Sequence, residues 1–195
     1  LGIPLGCIAA MHRGKFLDNL ISVISTCGIA VPSFVICTVL MYFLGVHLKI
    51  LPTYGLTSWK HYVMPVMALS FYPMAYIMRL MRSSMLDVLG QDYMRTCKAK
   101  GVSQAVSIFK HALRNAILPV ITYVGPMLAY TLTGSFVVEK IFTIPGLGGE
   151  FIGSISSRDY TVIMGTTIFL ATLLIVMNVI VDIIYKIVDP RIKLN

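Results

Sequence analysis

Four stretches of the chain carry no charged side chain: residues 19–46, 62–78, 115–138 and 160–181, each closed at both ends by a charged residue or a histidine. A helix needs about 20 mostly apolar residues to cross a hydrocarbon core about 30 Å thick. The first, third and fourth runs meet that length outright, and the second sits at its short end. The pattern predicts four spanning helices, at 20–46, 62–85, 117–138 and 160–187. Residues 1–11 are apolar as well and end at His12-Arg13. At about 1.5 Å per residue they reach only half-way across a bilayer, so they read as the last turns of a longer helix. The chain is therefore expected to be a piece of a longer protein. The predicted order is half-helix, inner turn, helix 20–46, outer loop, helix 62–85, inner element 86–116, helix 117–138, outer loop 139–159, helix 160–187 and inner tail. No internal repeat or low-complexity linker interrupts it, which predicts one domain over 1–195.

Composition agrees with a membrane protein. Of 195 residues 57% are hydrophobic and 12% charged, where soluble domains carry about a quarter charged. The net charge of +8 could suggest nucleic acid, but its distribution does not. Twelve of the 16 Lys and Arg fall at 13–15, 79–114 and 186–193, and the other four at 49, 60, 140 and 158. Basic residues are retained on the cytoplasmic side, so the first three segments face inward and the 47–61 and 139–159 connections face outward. The basic balance reports orientation, and no nucleic-acid partner is expected. Cys7, Cys27, Cys37 and Cys97 have no CxxC spacing, so neither a disulfide framework nor a metal site is predicted.

Three spans contain an interior proline, Pro32, Pro73 and Pro126, each of which removes a backbone hydrogen bond and bends its helix. Small or polar residues accompany them, among them Ser25, Thr26, Gly28, Ser33, Ser70, Tyr76, Thr122, Gly125, Tyr130, Thr131 and Gly134. For any one of these, close helix packing is the plain explanation. The set as a whole fits a polar-lined pathway, with Pro32, Ser33, Pro73, Tyr76, Pro126 and Tyr130 as candidate kink and lining residues. No isolated charge sits mid-span, so a secondary transporter built on a proton relay lacks its usual marker.

Residues 86–116 form the most basic segment. A first helix over 86–100 is expected to end at Lys98 and Lys100, with Gly101 free to adopt the left-handed conformation that closes helices. Ser103 is placed to cap a second helix. In that helix Val106, Phe109, Ala112, Leu113, Ala116 and Ile117 are spaced along one face, with Gln104, Lys110, His111 and Arg114 opposite. A basic amphipathic hairpin of this kind suits either a docking site for a soluble partner or an anchor on anionic lipid.

The residues themselves resemble a known family. Tyr93-Met94-Arg95-Thr96-Cys97-Lys98-Ala99-Lys100-Gly101-Val102-Ser103, followed by His111 to Pro119, looks like the cytoplasmic EAA loop of ABC-importer permeases. The form is that of dipeptide and oligopeptide permeases of the OppB/DppB type. Gly2-Ile3-Pro4-Leu5-Gly6, Pro145-Gly146-Leu147-Gly148, Arg158-Asp159-Tyr160 with Met164-Gly165, Asp182, and Asp189-Pro190-Arg191-Ile192 match further motifs in order along the chain. The resemblance implies an all-α, multi-pass transmembrane helical bundle of the type I importer kind, with four full spans and the end of a fifth. It implies a second permease subunit, two ATP-binding cassette ATPases and an extracytoplasmic solute-binding protein as partners, in a bacterial or archaeal inner membrane. ATP and Mg would be held by the ATPases, with no cofactor on this chain. Residues Asp92, Tyr93, Arg95, Thr96, Ala99, Lys100 and Gly101 would touch the ATPase, within a coupling element spanning 86–116. The cargo would be peptides, with nickel, glutathione or another small solute as alternatives within the same class. The motif's Glu-Ala-Ala stands here as Arg95-Thr96-Cys97, so no acidic ATPase contact is assigned.

Other signals are set aside. Gly148-Gly149-Glu150-Phe151 spells a diguanylate cyclase signature, but it falls in a predicted outer loop with no soluble domain around it. The chain contains no phosphate-loop motif, no HExxH and no Gly-x-Ser-x-Gly, so no catalytic residue is expected. A membrane anchor with a lipid-binding basic hairpin is the alternative from another functional class.

Overall fold

Helices form where the charge-free runs predict them, but they stop where backbone chemistry dictates. The computed structural model describes residues 1–188; Asp189-Pro190-Arg191-Ile192 and the tail cations lie outside the described residues. Every regular element among them is helical. The elements are α1 (Gly2–Met11), α2 (Phe16–Ala30), α3 (Ser33–His47), α4 (Lys60–Leu89), α5 (Asp92–Ala99), α6 (Gln104–Ala116), α7 (Leu118–Leu132), α8 (Phe136–Phe142), α9 (Leu147–Ser157) and α10 (Tyr160–Val188). The C-terminal half of α3, Met41–His47, and the middle of α6, Ser107–Ala112, are π-helical.

The predicted continuous helix 20–46 is instead two helices. Proline has no N–H for the carbonyl four residues back, and it disfavours helical geometry in the residue before it. Here that earlier residue is Gly28 and the preceding one is β-branched Val31, so helix propensity is weakest where the bond is lost. The chain takes φ −60°, ψ 144° at Pro32 and restarts with Val35 and Ile36 N–H donating to the Pro32 carbonyl at 3.0 and 3.3 Å. Pro73 and Pro126 are absorbed within α4 and α7, as is Pro65 in the first turns of α4.

The predicted helix 117–138 also ends early, at Leu132. Thr133 Oγ1 donates to the carbonyls of Ala129 and Tyr130, and Gly134 then turns left-handed at φ 85°. The predicted outer loop 139–159 is largely helical, being the end of α8 and all of α9, so Gly148-Gly149-Glu150-Phe151 lies inside a helix. Helix α9 closes on Arg158 at φ 59°, with its N–H donating to Ile155 O and that of Asp159 to Ser154 O at 2.9 Å. Asp159 Oδ1 then accepts from the N–H groups of Thr161 and Val162 at 3.1 and 3.2 Å, starting α10. That exchange is the physical content of the Arg158-Asp159-Tyr160 motif.

Two helices, α4 and residues Tyr160–Ile184 of α10, are long and apolar enough to cross a membrane. The number rises to four if the broken pairs α2–α3 and α6–α7 each count as one span. In the apolar window of α10 only 6% is buried within this chain, against 28% for α4. Ile168, Ile175 and Ile183 on α10 are more than half exposed, the composition expected of a surface that meets lipid or another subunit.

The chain groups into two compact units. The first comprises Leu1–Gly28, Met74–Gly125 and the chain from Val179. Its core packs Met81, Met85, Met94, Ile108, Ala112 and Val120, and flexible thioethers fill the irregular space between short helices. Helix α1 approaches α4 backbone to backbone: a Cβ added at Gly2 would lie 2.8 Å from Met74 O, and one at Gly6 2.6 Å from Met78 O. Small residues four apart make this approach possible in membranes, where dispersion rather than water exclusion holds helices together. The second unit comprises Ile29–Pro73 and Pro126–Asn178, with Cys37, Met64, Ala68, Val138 and Phe142 at its core. Among the described residues every Lys and Arg except Lys49, Lys60, Lys140 and Arg158 belongs to the first unit. The segments predicted to face inward and outward are thus sorted between the two.

Candidate functional site

The basic segment is built by a sequence of stops and restarts. Helix α4 runs to Leu89, where the predicted single helix 86–100 is interrupted: Gly90 donates its N–H to Leu86 O and Gln91 to Val88 O, at 3.2 and 3.1 Å. Helix α5 then begins at Asp92, an acid suited to a helix N-terminus, and ends beyond Lys98, a cation suited to a C-terminus. Gly101 adopts φ 71°. Its N–H donates to Lys98 O at 3.0 Å and that of Val102 to Cys97 O at 3.1 Å. These two bonds are the Schellman closure, which needs a residue that tolerates the left-handed region.

Helix α5 is held from beneath and exposed above. Met94 is 7% exposed and packs in the first unit's core. Tyr93 is half-buried, and its hydroxyl accepts from Asn115 Nδ2 of α6 at 2.9 Å. Asp92, Arg95, Thr96, Ala99, Lys100 and Gly101 are exposed. Six of the seven sequence-assigned contact positions therefore share an open surface, and the seventh, Tyr93, ties that surface to α6. Arg95 stands 3.8 Å from Asp92, a fully solvated pair that contributes little to stability.

Two expectations for α6 are corrected. Ser103 occupies the N-cap position, but its side chain makes no capping hydrogen bond; its carbonyl accepts from Ser107 N–H at 3.0 Å instead. The buried face is Ile108, Ala112, Ala116 and, on α7, Val120, while Val106 and Phe109 are 43% and 69% exposed. The π-helical turn at Ser107–Ala112 widens the repeat beyond 3.6 residues and shifts the face. Lys110 and Arg114 are exposed as expected.

The kink residues are dispersed between the units. Pro32, Ser33, Pro73, Pro126 and Tyr130 belong to the second, and Tyr76 to the first. Within the first unit Tyr76 packs on Tyr123, ring centroids 4.3 Å apart and planes inclined by 32°. Pro32, Ser33 and Tyr130 are exposed; Pro73 and Pro126 are half-buried. Asp182 lies exposed on α10.

Two polar arrangements, one buried and one half-buried, have no counterpart in the sequence reading. Asp18, 2% exposed, accepts from Arg82 Nε at 2.5 Å and Nη2 at 2.8 Å, and from Gly14 N–H at 2.8 Å. The pair ties the inner turn to α4 across 64 positions of sequence. In the second unit Glu139 folds back into a cradle of glycines, its Oε2 accepting from Gly149 N–H at 2.7 Å. A Cβ at Gly134 or Gly146 would collide with its carboxylate, and one at Gly148 would lie 2.7 Å from Phe136 N. The only hint in the sequence was an acid at the end of an apolar run, shortly before Pro145-Gly146-Leu147-Gly148-Gly149. Among the described residues no cluster of three or more His, Cys, Asp or Glu could hold a metal ion.

The chain is 53% identical over 194 residues to the dipeptide transport system permease protein DppB of Bacillus subtilis, covering all of this chain and 63% of that protein. It is 44% identical to the protein of the same name from Lactococcus lactis, covering 64% of it. It is 41% identical over 192 residues to the glutathione transport system permease protein GsiC of Escherichia coli K12, covering 98% of this chain and 63% of that one. The chain thus spans a little under two thirds of the length of these relatives. Residues 2–194 match the family described as binding-protein-dependent transport system inner membrane component, and the chain belongs to that family.

Proposed function

We propose that this chain is a multi-pass permease subunit of an ATP-driven, binding-protein-dependent importer in a bacterial or archaeal cell membrane. In this reading residues 1–195 act as one permease domain and 86–116 as its coupling element. With a second permease subunit the chain forms the pathway; two cytoplasmic ATPases bind and hydrolyse ATP with Mg; an extracytoplasmic solute-binding protein delivers cargo. The observation that carries the reading is the exposed α5–Gly101 turn. It presents Asp92, Arg95, Thr96, Ala99, Lys100 and Gly101 together on the most basic segment of the chain.

The mechanism follows from how that turn is fastened. Closure of the ATPases displaces α5. The Tyr93–Asn115 hydrogen bond and the packing of Met94 oblige α6 and the end of α4 to move with it. Helix α6 leads into α7 through a 49° bend, so the displacement reaches a membrane helix. Pro32, Pro73 and Pro126 serve as hinges, and Ser33, Tyr76 and Tyr130 as lining positions. Such a lever shifts an equilibrium only if the ATPase contacts α5 differently in its open and closed states.

Peptides are the cargo this reading favours, on the strength of the dipeptide relatives. The glutathione relative favours glutathione, itself a short peptide, as a second reading. Co-purification tests the class: the tagged permease is expected to bring ATPase subunits and to lose them, with peptide uptake, when residues 93–101 are scrambled. A lipid anchor or a secondary transporter brings none. Competition of labelled dipeptide uptake by glutathione separates the two cargoes.

A further inference from the structure

The first unit contains a cavity of about 390 Å³ where the end of α1, the end of α4 and the α5–α6 turn converge. That volume lies within the range of small-molecule sites, roughly 300–1,000 Å³. Arg95, Lys98, Gln104 and Ser107 supply its polar lining and Met94 and Ile108 part of its apolar lining, and among the described residues no acidic one lines it. Four residues with donor groups thus border it, the exposed Arg95, Lys98 and Gln104 and the buried Ser107, with no described carboxylate among them. The solvated Asp92 at 3.8 Å competes only weakly for Arg95.

The second observation is Ser107. It is 5% exposed, and its Oγ has no hydrogen-bond partner among the described residues. Two other buried hydroxyls are bonded: Ser25 donates to Ser22 O at 3.0 Å and Ser154 to Phe151 O at 2.7 Å. A buried unbonded hydroxyl is costly and uncommon. This one stands at the first residue of the π-helical turn, a geometry frequent at functional sites.

We propose that this cavity binds a phosphate ester, its oxygens accepting from Ser107 Oγ and from the Lys98, Arg95 and Gln104 head groups while its organic part lies on Met94 and Ile108. A phosphate offers several acceptor oxygens in different directions, which suits donors arriving from two helices, and the Arg fork and Lys ammonium strengthen the bonds by charge. The bound group bridges α5 and α6, so it stiffens the turn. Either a phospholipid headgroup or a soluble phosphate ester carries this chemistry. The site shares Arg95 with the proposed ATPase contact, but binding is read on the permease alone and does not rest on that contact.

The test uses the full-length permease purified in a neutral detergent, titrated separately with inorganic phosphate, glycerol 3-phosphate and dihexanoyl phosphatidylglycerol against chloride at equal ionic strength. The thermal unfolding midpoint is the readout, since a ligand of the folded state raises it with concentration. A saturable rise is expected with at least one probe. Ser107→Ala removes a buried hydroxyl that bonds to no described protein group, so its ligand-free midpoint stays at or above the wild-type value while its affinity falls about tenfold. Lys98→Gln weakens binding likewise, and Ser107→Thr retains it. A rise with the lipid alone assigns the site to a headgroup; equal rises with all three assign it to soluble phosphate. No saturable rise with any probe, an equal rise in Ser107→Ala, or a lower ligand-free midpoint in that variant overturns the proposal.

Discussion

Arg82→Ala should cost this protein about twice what Asp18→Ala costs, although the two side chains form one pair. Asp18 is 2% exposed and its carboxylate takes three hydrogen bonds, two from Arg82 and one from Gly14 N–H. Without Arg82 the carboxylate is left buried with no cation, only the neutral Gly14 N–H and Ser22 hydroxyl beside it. Removing one partner of a buried pair costs ~3–5 kcal/mol, and this case belongs in the middle of that range, at ~4 kcal/mol. The Arg82 side chain is 30% exposed, so without Asp18 its guanidinium can turn towards water, as long basic side chains do. The cost of Asp18→Ala is correspondingly ~2 kcal/mol. The double variant loses the pair and the packing of the Arg stem but leaves no buried charge, for a total of ~3 kcal/mol. It is thus more stable than Arg82→Ala alone, and the double-mutant cycle returns a coupling of ~3 kcal/mol. Denaturant unfolding of the purified variants in one detergent measures all four corners. Equal costs for the two single variants, or a double variant as unstable as both costs added, would refute the reasoning.

Gly101→Val meets no atom within 4 Å but must hold φ 71°, which costs ~1–2 kcal/mol for an ordinary L-residue. Peptide uptake should fall and ATPase activity should lose its response to cargo, while Gly101→Asn is tolerated; wild-type uptake in the valine variant contradicts this. Gly6→Val drives a Cβ to 2.6 Å from Met78 O and 2.7 Å from Met81 Cβ, so the thermal midpoint should drop by the equivalent of at least the ~1–3 kcal/mol typical of overpacking. Gly153→Ala, with nothing within 4 Å, is the near-neutral control. Glu139→Ala removes the hydrogen bond to the half-buried Gly149 N–H, at a cost of ~1 kcal/mol, and limited proteolysis should then cut the connection at residues 143–146 faster than in wild type.

The sequence disclosed what depends on local chemistry. Charge-free runs marked the long apolar helices, and Lys98, Lys100 and Gly101 marked a helix end whose left-handed closure the structure contains. It misled where the local signal was ambiguous. The run 19–46 carries no charge, so nothing in its composition separates a kink at Pro32 from a complete break. The segment 139–159 resembled a loop because charges bound it and glycines interrupt it, yet α8 and α9 occupy most of it. The α6 face was misread because a π-turn changes the repeat on which spacing arguments rest. Asp18 and Arg82 are 64 positions apart, and no periodicity connects them. Glu139 required knowing that Gly134, Gly146 and Gly148 converge around one carboxylate, which no motif reports. At the candidate site the residue identities were legible, whereas the anchoring of Tyr93 on Asn115 and the unbonded Ser107 hydroxyl emerge only in three dimensions.

The most direct measurement is photocrosslinking from a probe at Ala99, an exposed side chain on α5, in membranes that take up peptide. The probe should form a protein adduct with an ATPase subunit, with a yield that differs between nucleotide-free and ATP-trapped states. Adducts with phospholipid alone, while uptake proceeds at the wild-type rate, would contradict the claim that this turn receives the motor's force.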